Sequence, residues 1–231
     1  MITSASNGRI KYIDTLMQKS KFRKKEGKFV AEGIKMFEEA PESDILEVYV
    51  RESSLDMFDA DIRKKLEKVS YEVITDAVFK KVCDTVTPQG ILTVLKIHES
   101  SIEDILSVKD AHIVVLENIQ DPGNIGTIIR TSEGAGVTGI ILSKDCVDIY
   151  NPKVIRSTMG SIYRSRIAVF DDIKEALKVL KDKGVKKYFL QKYRQVSSDK
   201  TSTDKACENL VSNTSLLKYL QDNFVDFAVR K

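Results

Sequence analysis

Cysteine and histidine are scarce in this sequence, and their positions give no support to two common kinds of site. The three cysteines of the 231-residue chain lie far apart, at Cys83, Cys146 and Cys207. An odd number at such spacing forms neither a disulfide framework nor a zinc motif, and it favours free thiols in a reducing cytosol. His98 and His112 do not pair with a cysteine or an aspartate at any motif spacing. We therefore predict no metal site.

Long apolar segments and a large excess of one charge are also missing. No stretch approaches the roughly twenty apolar residues that a membrane-spanning helix needs. The first residues, MITSASNGRIKYI, lack the apolar core of a signal peptide, so we expect a cytoplasmic protein with no membrane partner. The 37 Lys and Arg residues nearly balance the 34 Asp and Glu residues, which leaves a net charge of +3. Global charge is therefore only weak evidence for a nucleic acid partner.

Local charge points more clearly to an anionic partner. Basic residues with few acids among them cluster near the amino terminus, at Lys19, Lys21, Arg23, Lys24, Lys25 and Lys28. Such a cluster can neutralise several RNA phosphates and make the affinity depend on salt. By itself, a basic run of this length is more often a solvated helix end. As the RNA contacts we predict Lys21, Arg23, Lys24 and Lys25.

The most distinctive segment is VVLENIQDPGNIGTIIRTSEGAGVTGIIL, which covers residues 114–142. Its pattern predicts a buried strand, a Pro-Gly turn, a helix that ends at a glycine-rich stop, and a second buried strand. A unit of this kind places a ligand site at the carboxyl end of its first strand. Asn124 and Arg130 lie close to that point, and both are polar residues in an otherwise apolar unit.

Two common nucleotide-binding fingerprints fail on this segment. Gly123 and Gly126 do not form G-x-G-x-x-G, and no acidic residue ends the second strand. The sequence contains no G-x-x-x-x-G-K-[ST] motif, so a P-loop is excluded. These failures disfavour a dinucleotide-dependent oxidoreductase.

Four segments resemble the SpoU family of RNA ribose 2′-O-methyltransferases, within the SPOUT superfamily. NIQDPGNIGTIIRTSEGAG is similar to the first signature motif of that family. NPKVIRSTMGSIYRSRI, residues 151–167, resembles the segment that follows the second strand. Near the amino terminus, residues 4–40 and KKVCDTVTPQGILTVLKI, residues 80–97, resemble the substrate-binding domain that precedes the catalytic domain in many members.

The resemblance implies an α/β fold with two domains. A small RNA-binding domain would cover residues 1–97, a linker residues 98–110, and a mostly parallel-sheet SPOUT-type core residues 111–190. The family's core contains a trefoil knot. Its two carboxyl-terminal motifs are not found after Leu190, so residues 191–231 are predicted to form an atypical tail without strand signals. The residues that would bind the cofactor are therefore not identified.

For function, the resemblance implies S-adenosylmethionine-dependent 2′-O-methylation of ribose in structured RNA, with ribosomal RNA as the expected substrate and a homodimer as the expected assembly. The alternative is a non-catalytic RNA-binding protein, a truncated or degenerate member without a donor pocket. Binding of S-adenosylmethionine would discriminate between the two.

The resemblance also assigns roles to residues. Arg130 matches an arginine at the family's catalytic centre, and Asn124 matches an asparagine that shapes the active site, although Asn124 would also serve as a helix N-cap. A guanidinium is a poor base and a good phosphate ligand, so Arg130 is interpreted first as an orienting group. Further predicted positions are the RNA contacts Arg156, Ser157 and Arg164, and the active-site mouth, formed by Glu117, Asn118, Gly160 and Ser161. Glu117 and Asn118 could equally hold the turn by hydrogen bonds, and the arginines could be a solvated helix end.

Overall fold

The computed structural model of the chain describes residues 1–185, 187–191, 218, 221–222 and 226–230. The contacts divide the chain into two compact units. The first consists of Met1–Ser100, Asp121–Val137 and Asp148–Arg166, and the second of Ser101–Gln120, Thr138–Val147 and Ile167–Lys231. The α/β class predicted from the sequence is confirmed. The domain boundaries at residues 97 and 110 stay a prediction.

The helices and strands alternate along most of the described chain. The helices are α1 (Gly8–Gln18), α2 (Ser20–Glu26), α3 (Ile34–Glu39), α4 (Ala60–Glu67), α5 (Asp76–Val82), α6 (Ile102–Leu106), α7 (Pro122–Gly134), α8 (Pro152–Thr158) and α9 (Ile173–Asp182). The strands are β1 (Lys28–Glu32), β2 (Ile45–Arg51), β3 (Tyr71–Ile74), β4 (Ile91–Lys96), β5 (Ile113–Leu116), β6 (Gly139–Ser143), β7 (Ile167–Phe170), β8 (Lys187–Gln191) and β9 (Asp226–Arg230).

The first unit is built on a mixed sheet with the strand order β1-β4-β2-β3. β4 is antiparallel to both of its neighbours, and β3 is parallel to β2. The central strands alternate their side chains between two apolar layers. Tyr49 packs with Ile13 and Leu16 of α1, whereas Val48 and Val50 pack with Phe37 and the helix α4. Covering both faces of the sheet with helices buries its apolar side chains from water.

The segment that carries the basic cluster is fixed by two ordinary helix signals. Asn7 caps α1, because its side-chain oxygen accepts from the backbone N–H of Arg9 at 2.8 Å. α2 ends at Gly27, whose φ of 63° lies in the left-handed region where glycine carries no steric penalty. The chain then enters β1, so α2 stands at the edge of the sheet.

Two short-range signals also start α7 and α8, which both belong to the first unit. Each helix has a proline as its first residue and a capping side chain immediately before it, Asp121 for α7 and Asn151 for α8. The helices approach closely at Gly126. A Cβ added there would lie 2.5 Å from the Cβ of Ser157 and 2.9 Å from the carbonyl oxygen of Val154. Only glycine lets α7 and α8 pack at this distance.

The second unit contains the parallel sheet predicted for the core. β6 lies between β5 and β7 and is parallel to both. Ile141, Ala168 and Leu177 form part of its apolar core with α6 and α9. β5, predicted as buried on both faces, is half-buried in the structure and lies at one edge of this three-stranded sheet.

β8 pairs in parallel with β9 in a separate two-stranded sheet. β9 falls in the segment for which the sequence predicted no strand. The pattern failed there because β9 is held by pairing with a strand far away in the sequence, which no local signal records. Most of the predicted tail lies outside the described residues.

Candidate active site

Arg130 is exposed in the third turn of α7, in the first unit. None of the described hydrogen bonds or ion pairs occupies its guanidinium. It lies four residues after Gly126, which touches α8, and three before Glu133, which binds Arg164 at 2.9 Å. Positions spaced in this way share one helix face. Arg130 therefore stands on the side of α7 that packs against residues 154–164.

Asn124 does not cap α7. The cap is Asp121, whose carboxylate accepts from the backbone N–H of Asn124 at 2.7 Å, and the helix has already begun at Pro122. The capping role proposed for Asn124 from the sequence is wrong, because the cap lies three residues earlier, at Asp121, which leaves Asn124 inside the first turn. The side chain of Asn124 is exposed in the first turn, and its predicted role in the active site stays a prediction.

Arg156 lies on α8, and the two terminal nitrogens of its guanidinium differ in their contacts. Its Nη2 donates to the Asp84 carboxylate at 3.2 Å, whereas its Nη1 is buried without a hydrogen-bond partner among the described residues. A buried donor without an acceptor costs about 1–3 kcal/mol.

Ser157, the neighbouring predicted RNA contact, turns toward its own helix. Its Oγ donates to the carbonyl oxygen of Lys153 at 2.9 Å, and its Cβ lies against Gly126. In the structure Ser157 is thus a packing residue between α7 and α8.

Arg164 already has two protein partners. Its Nη1 donates to Glu39 at 2.6 Å and its Nε to Glu133 at 2.9 Å. The hydrogen bonds to Glu133 and Glu39 raise the pKa of the Arg164 guanidinium, and those from Lys35 and Arg164 lower the pKa of the Glu39 carboxyl. Arg164 therefore joins α3 to α7. This use of its guanidinium argues against the predicted RNA contact.

Gly160 and Ser161 shape a turn and do not line an open mouth. Gly160 has a φ of 93°, and a Cβ there would lie 2.7 Å from the Glu39 side chain. Ser161 is 1% exposed and donates from Oγ to the carbonyl oxygen of Thr158 at 2.8 Å. Both residues were predicted at the active-site mouth, and the structure instead buries them in the packing of the first unit.

Four residues of the basic cluster lie on α2, and three of them are exposed. Lys21, Lys24 and Lys25 are exposed, as an RNA-binding surface requires. Arg23 is only 2% exposed. Its Nη1 donates to the carbonyl oxygens of Leu16 and Met17 at 2.6 and 3.0 Å. The predicted RNA contact of Arg23 is corrected, because a buried and fully hydrogen-bonded guanidinium cannot reach a phosphate.

In the second unit, Glu117 and Asn118 follow β5 directly. Partial burial of the carboxyl group raises the pKa of Glu117, and the nearby carboxylates of Asp172 and Asp145 raise it further. Among the described residues, no hydrogen bond to the Glu117 carboxylate is present.

Asn118 holds the turn, which was the alternative that the sequence left open. Its φ is 53°, a left-handed value that asparagine tolerates better than most residues. Its backbone N–H donates to Ser143 Oγ at 3.0 Å, and its Oδ1 accepts from Gln120 at 2.9 Å. Gln120 also donates to the carbonyl oxygen of Asp145.

No three His, Cys, Asp or Glu side chains in the described part of the chain come together as a group that could hold a metal ion. No helix among the described residues is long and apolar enough to cross a membrane.

Two family models match most of the chain. Residues 111–211 match the SpoU rRNA methylase family, and residues 7–93 match the MRM3-like substrate-binding domain. A 23S rRNA (guanosine(2553)-2′-O)-methyltransferase of Bacillus subtilis is 32% identical over 189 residues, which cover 81% of this chain and 71% of that protein. The chain belongs to the SpoU methyltransferase family. The family match extends to residue 211, beyond Leu190, where the resemblance seen in the sequence ended.

Other SpoU relatives are longer than this chain. Human mitochondrial rRNA methyltransferase 3 is 31% identical over 163 residues, and the match covers 69% of this chain but only 39% of that protein. The zebrafish protein rRNA methyltransferase 3A is 33% identical, with 69% and 38% covered. The chain therefore spans about two fifths of the length of these relatives.

Solved structures support the SPOUT fold. The rRNA methyltransferase of Sinorhizobium meliloti aligns with a TM-score of 0.71 and 22% identity over 100% of this chain and 88% of that one. The SpoU methyltransferase AviRb of Streptomyces viridochromogenes aligns with a TM-score of 0.69 and 20% identity over 80% and 72%. At these identities the likeness is evidence for the fold alone.

Proposed function

We propose that this SpoU family member methylates the 2′-hydroxyl of a ribose in ribosomal RNA, with S-adenosylmethionine as the methyl donor. The B. subtilis relative is named for that reaction on 23S rRNA, and the S. meliloti methyltransferase was crystallised with the donor bound. The observation that carries the proposal is the free guanidinium of Arg130, exposed on α7 inside the first family motif.

Arg130 acts by binding and orientation. Methyl transfer requires that the ribose oxygen approach the methyl group in line while its proton leaves. The planar guanidinium of Arg130 can hold the neighbouring phosphate by two hydrogen bonds and favour the negative charge that develops on the ribose oxygen. It is a poor general base, because a guanidinium keeps its proton at neutral pH.

Arg156 adds a second anion ligand on the adjoining helix. Asp84 fixes one end of its guanidinium, and the side chain is still 34% exposed, so the accessible part of the guanidinium can meet an anion. The close packing at Gly126 sets the distance between α7 and α8, and with it the spacing of Arg130 and Arg156. Small changes in such spacing slow the reaction, since a misplacement of about 1 Å can lower the rate roughly a hundredfold.

The polar groups at the end of β5 fit a cationic methyl donor in their chemistry. S-adenosylmethionine supplies a methyl group on a positively charged sulfur when bound, and it also carries an ammonium group and ribose hydroxyls. Glu117 has a carboxylate without a described protein partner beside two further carboxylates. We therefore assign Glu117 of the second unit to binding of the methyl donor, with Asn118 holding its turn.

Lys21, Lys24 and Lys25 on α2 are the proposed RNA contacts of the first unit. A homodimer and a cytoplasmic location are further proposals. The homodimer rests on the resemblance alone and is tested by light scattering. The location is supported by the free thiols of Cys83 and Cys146 and is tested by cell fractionation.

Calorimetry with S-adenosylmethionine, followed by a methylation assay on unmodified ribosomal RNA, tests the proposal. A 2′-O-methyl group blocks alkaline cleavage of the adjacent phosphodiester, so a protected position in the cleavage ladder reports the product. We expect donor binding and one protected position. RNA binding without any donor binding would instead establish the chain as a non-catalytic RNA-binding protein.

A further inference from the structure

An open groove of about 610 Å³ lies on the first unit, between the start of α1 and the strands β2 and β3. Its volume is in the range of small-molecule sites. The polar and aromatic side chains that line the groove are Arg9, Tyr12, Glu47, Tyr49, Tyr71 and Glu72. None of them takes part in the function proposed above.

The floor of the groove carries hydrogen-bond acceptors. Tyr49 is buried and donates its hydroxyl to Glu47 Oε2. The other carboxylate oxygen of Glu47 has no hydrogen-bond partner among the described residues. Glu72 stands opposite Tyr49 on the neighbouring strand and accepts from Arg9 at 2.8 Å. A ligand with N–H donors would therefore find an unused carboxylate oxygen on Glu47.

Aromatic rings stand at two sides of the groove. Tyr71, on the edge strand β3, is 43% exposed. Tyr12 is half-buried, and its hydroxyl donates to Glu26 at 3.0 Å. Because Glu26 is the last residue of α2, Tyr12 connects the groove to the basic helix. Lys28 places its ammonium 5.6 Å from the centre of the Tyr12 ring.

We propose that this groove binds an unpaired base of the substrate RNA that carries an amino group, with guanine as the best fit. The identity of the ligand as RNA rests on the proposed function. Proteins read unpaired bases by stacking them on aromatic rings and by hydrogen bonds to the base edges. Guanine offers two adjacent N–H donors to a carboxylate, whereas uracil offers none beside its single ring N–H.

The charges around the groove indicate where the phosphates of the RNA would lie. The groove itself carries Glu47, Glu72 and one arginine, so a phosphate is disfavoured inside it. Lys28 lies beside Tyr12, and α2, which carries the exposed lysines, ends at Glu26, the hydrogen-bond partner of Tyr12. A chain of RNA can therefore keep its phosphates on α2 while one base enters the groove.

Binding of three hairpin RNAs to the full chain tests the proposal. The hairpins share one stem and differ at a single unpaired position, which is guanine, uracil or abasic. By fluorescence anisotropy, we expect the guanine hairpin to bind about tenfold more tightly than the abasic one, within the range for stacking of one base. Tyr71→Ala should remove most of this difference, and Tyr71→Phe should keep it.

Glu47→Gln tests the hydrogen bonds separately from stacking. It should bring the affinities for guanine and uracil close together and leave both above the abasic hairpin. Lys24→Ala should weaken all three hairpins by the same factor, and Met57→Ala, at a 75% exposed side chain outside the groove, should change none. Thermal unfolding of each variant confirms that the unit is folded.

Equal affinity of the unaltered protein for all three hairpins would overturn the proposal, as would tight binding of a basic peptide that competes with none of them. The methylation assay keeps this result apart from the proposed function. Methylation without discrimination between the hairpins would refute base binding in the groove and leave the proposed reaction in place. Base discrimination without methylation would refute the proposed reaction and leave the groove in place.

Discussion

Arg23 donates to one carboxylate oxygen of Asp148 through two nitrogens, with Nε at 3.0 Å and Nη2 at 2.5 Å. The two residues are 125 positions apart in the chain and belong to the same unit. Arg23 lies in the middle of the basic helix α2, and Asp148 precedes α8, which carries Arg156. This buried pair therefore links the proposed RNA-binding helix to an arginine of the candidate active site.

We predict that Arg23→Ala lowers the free energy of unfolding by about 3–5 kcal/mol, because removing one partner leaves the other charge buried without compensation. Asp148→Asn should have a loss of the same order. Urea denaturation followed by circular dichroism measures both. Lys24→Ala on the same helix is the control and should stay within about 0.5 kcal/mol of the unaltered protein.

The double variant Arg23→Met with Asp148→Leu discriminates charge from packing. If the cost comes from the uncompensated charge, the double variant should recover much of the stability lost by Arg23→Ala. A double variant as unstable as the single one would show that the hydrogen bonds to Leu16 and Met17 matter more than the ion pair.

The exposed lysines of α2 should determine the salt dependence of RNA binding. The triple variant Lys21→Ala, Lys24→Ala, Lys25→Ala should reduce the slope of log affinity against log salt by about 0.7–0.9 per lost phosphate contact. Filter binding at several salt concentrations measures the slope. A matched triple variant of Lys64, Lys80 and Lys81, all exposed on the same unit, has the same loss of charge. The same change in both slopes would refute α2 as the specific surface.

The sequence predicted much of the secondary structure because its signals are local. The strand of residues 114–116, the turn at Pro122 and the helix that follows are all recovered within α7 and β5. Periodicity and turn residues act between neighbours in the chain, so they can be read before the fold is known. β9 could not be read in this way, since its pairing with β8 is non-local.

The site was harder to predict for a related reason. Whether a charged side chain is exposed depends on partners that lie far from it in the sequence and close to it in the fold. Arg23 and Lys24 are adjacent and both positively charged, yet only Arg23 is buried and paired with Asp148. Arg164 likewise donates to the carboxylate of Glu39, 125 positions away. The sequence also gave no reason to single out Asp84, which holds Arg156.

Arg130 should act mainly on turnover. If the chain methylates RNA, Arg130→Ala should lower the rate by at least about a hundredfold while RNA affinity changes much less, as expected for a group whose contacts strengthen in the transition state. Arg130→Lys should also be poor, because an ammonium lacks the planar pair of donors. Single-turnover methylation and filter binding measure the two effects. The control is Arg166→Ala, an exposed arginine of the same unit. Equal losses of binding and turnover would reduce Arg130 to an ordinary phosphate contact.

The packing at Gly126 should be sensitive to one added methyl group. In Gly126→Ala, the new Cβ would meet Ser157 and the backbone of Val154, so we expect a loss of about 1–3 kcal/mol in the free energy of unfolding. Gly134→Ala is the matched control, because a Cβ there meets nothing within 4 Å. It should raise stability by roughly 0.5–1 kcal/mol. Two variants of equal stability in urea would show that α7 and α8 can separate without cost.

Glu117 should make donor binding depend on pH. Partial burial and the carboxylates of Asp172 and Asp145 raise the pKa of its carboxyl above its usual range. A cationic donor binds the ionised form, so affinity for S-adenosylmethionine should rise as the pH increases through this raised pKa and level off above it. Calorimetry between about pH 4.5 and 8 measures the profile, provided that circular dichroism shows a folded protein throughout.

Glu117→Gln should lower the affinity at neutral pH and flatten the profile, whereas Glu175→Gln, at an exposed carboxyl of α9, should leave both unchanged. An unaltered profile in Glu117→Gln would place the donor away from this residue.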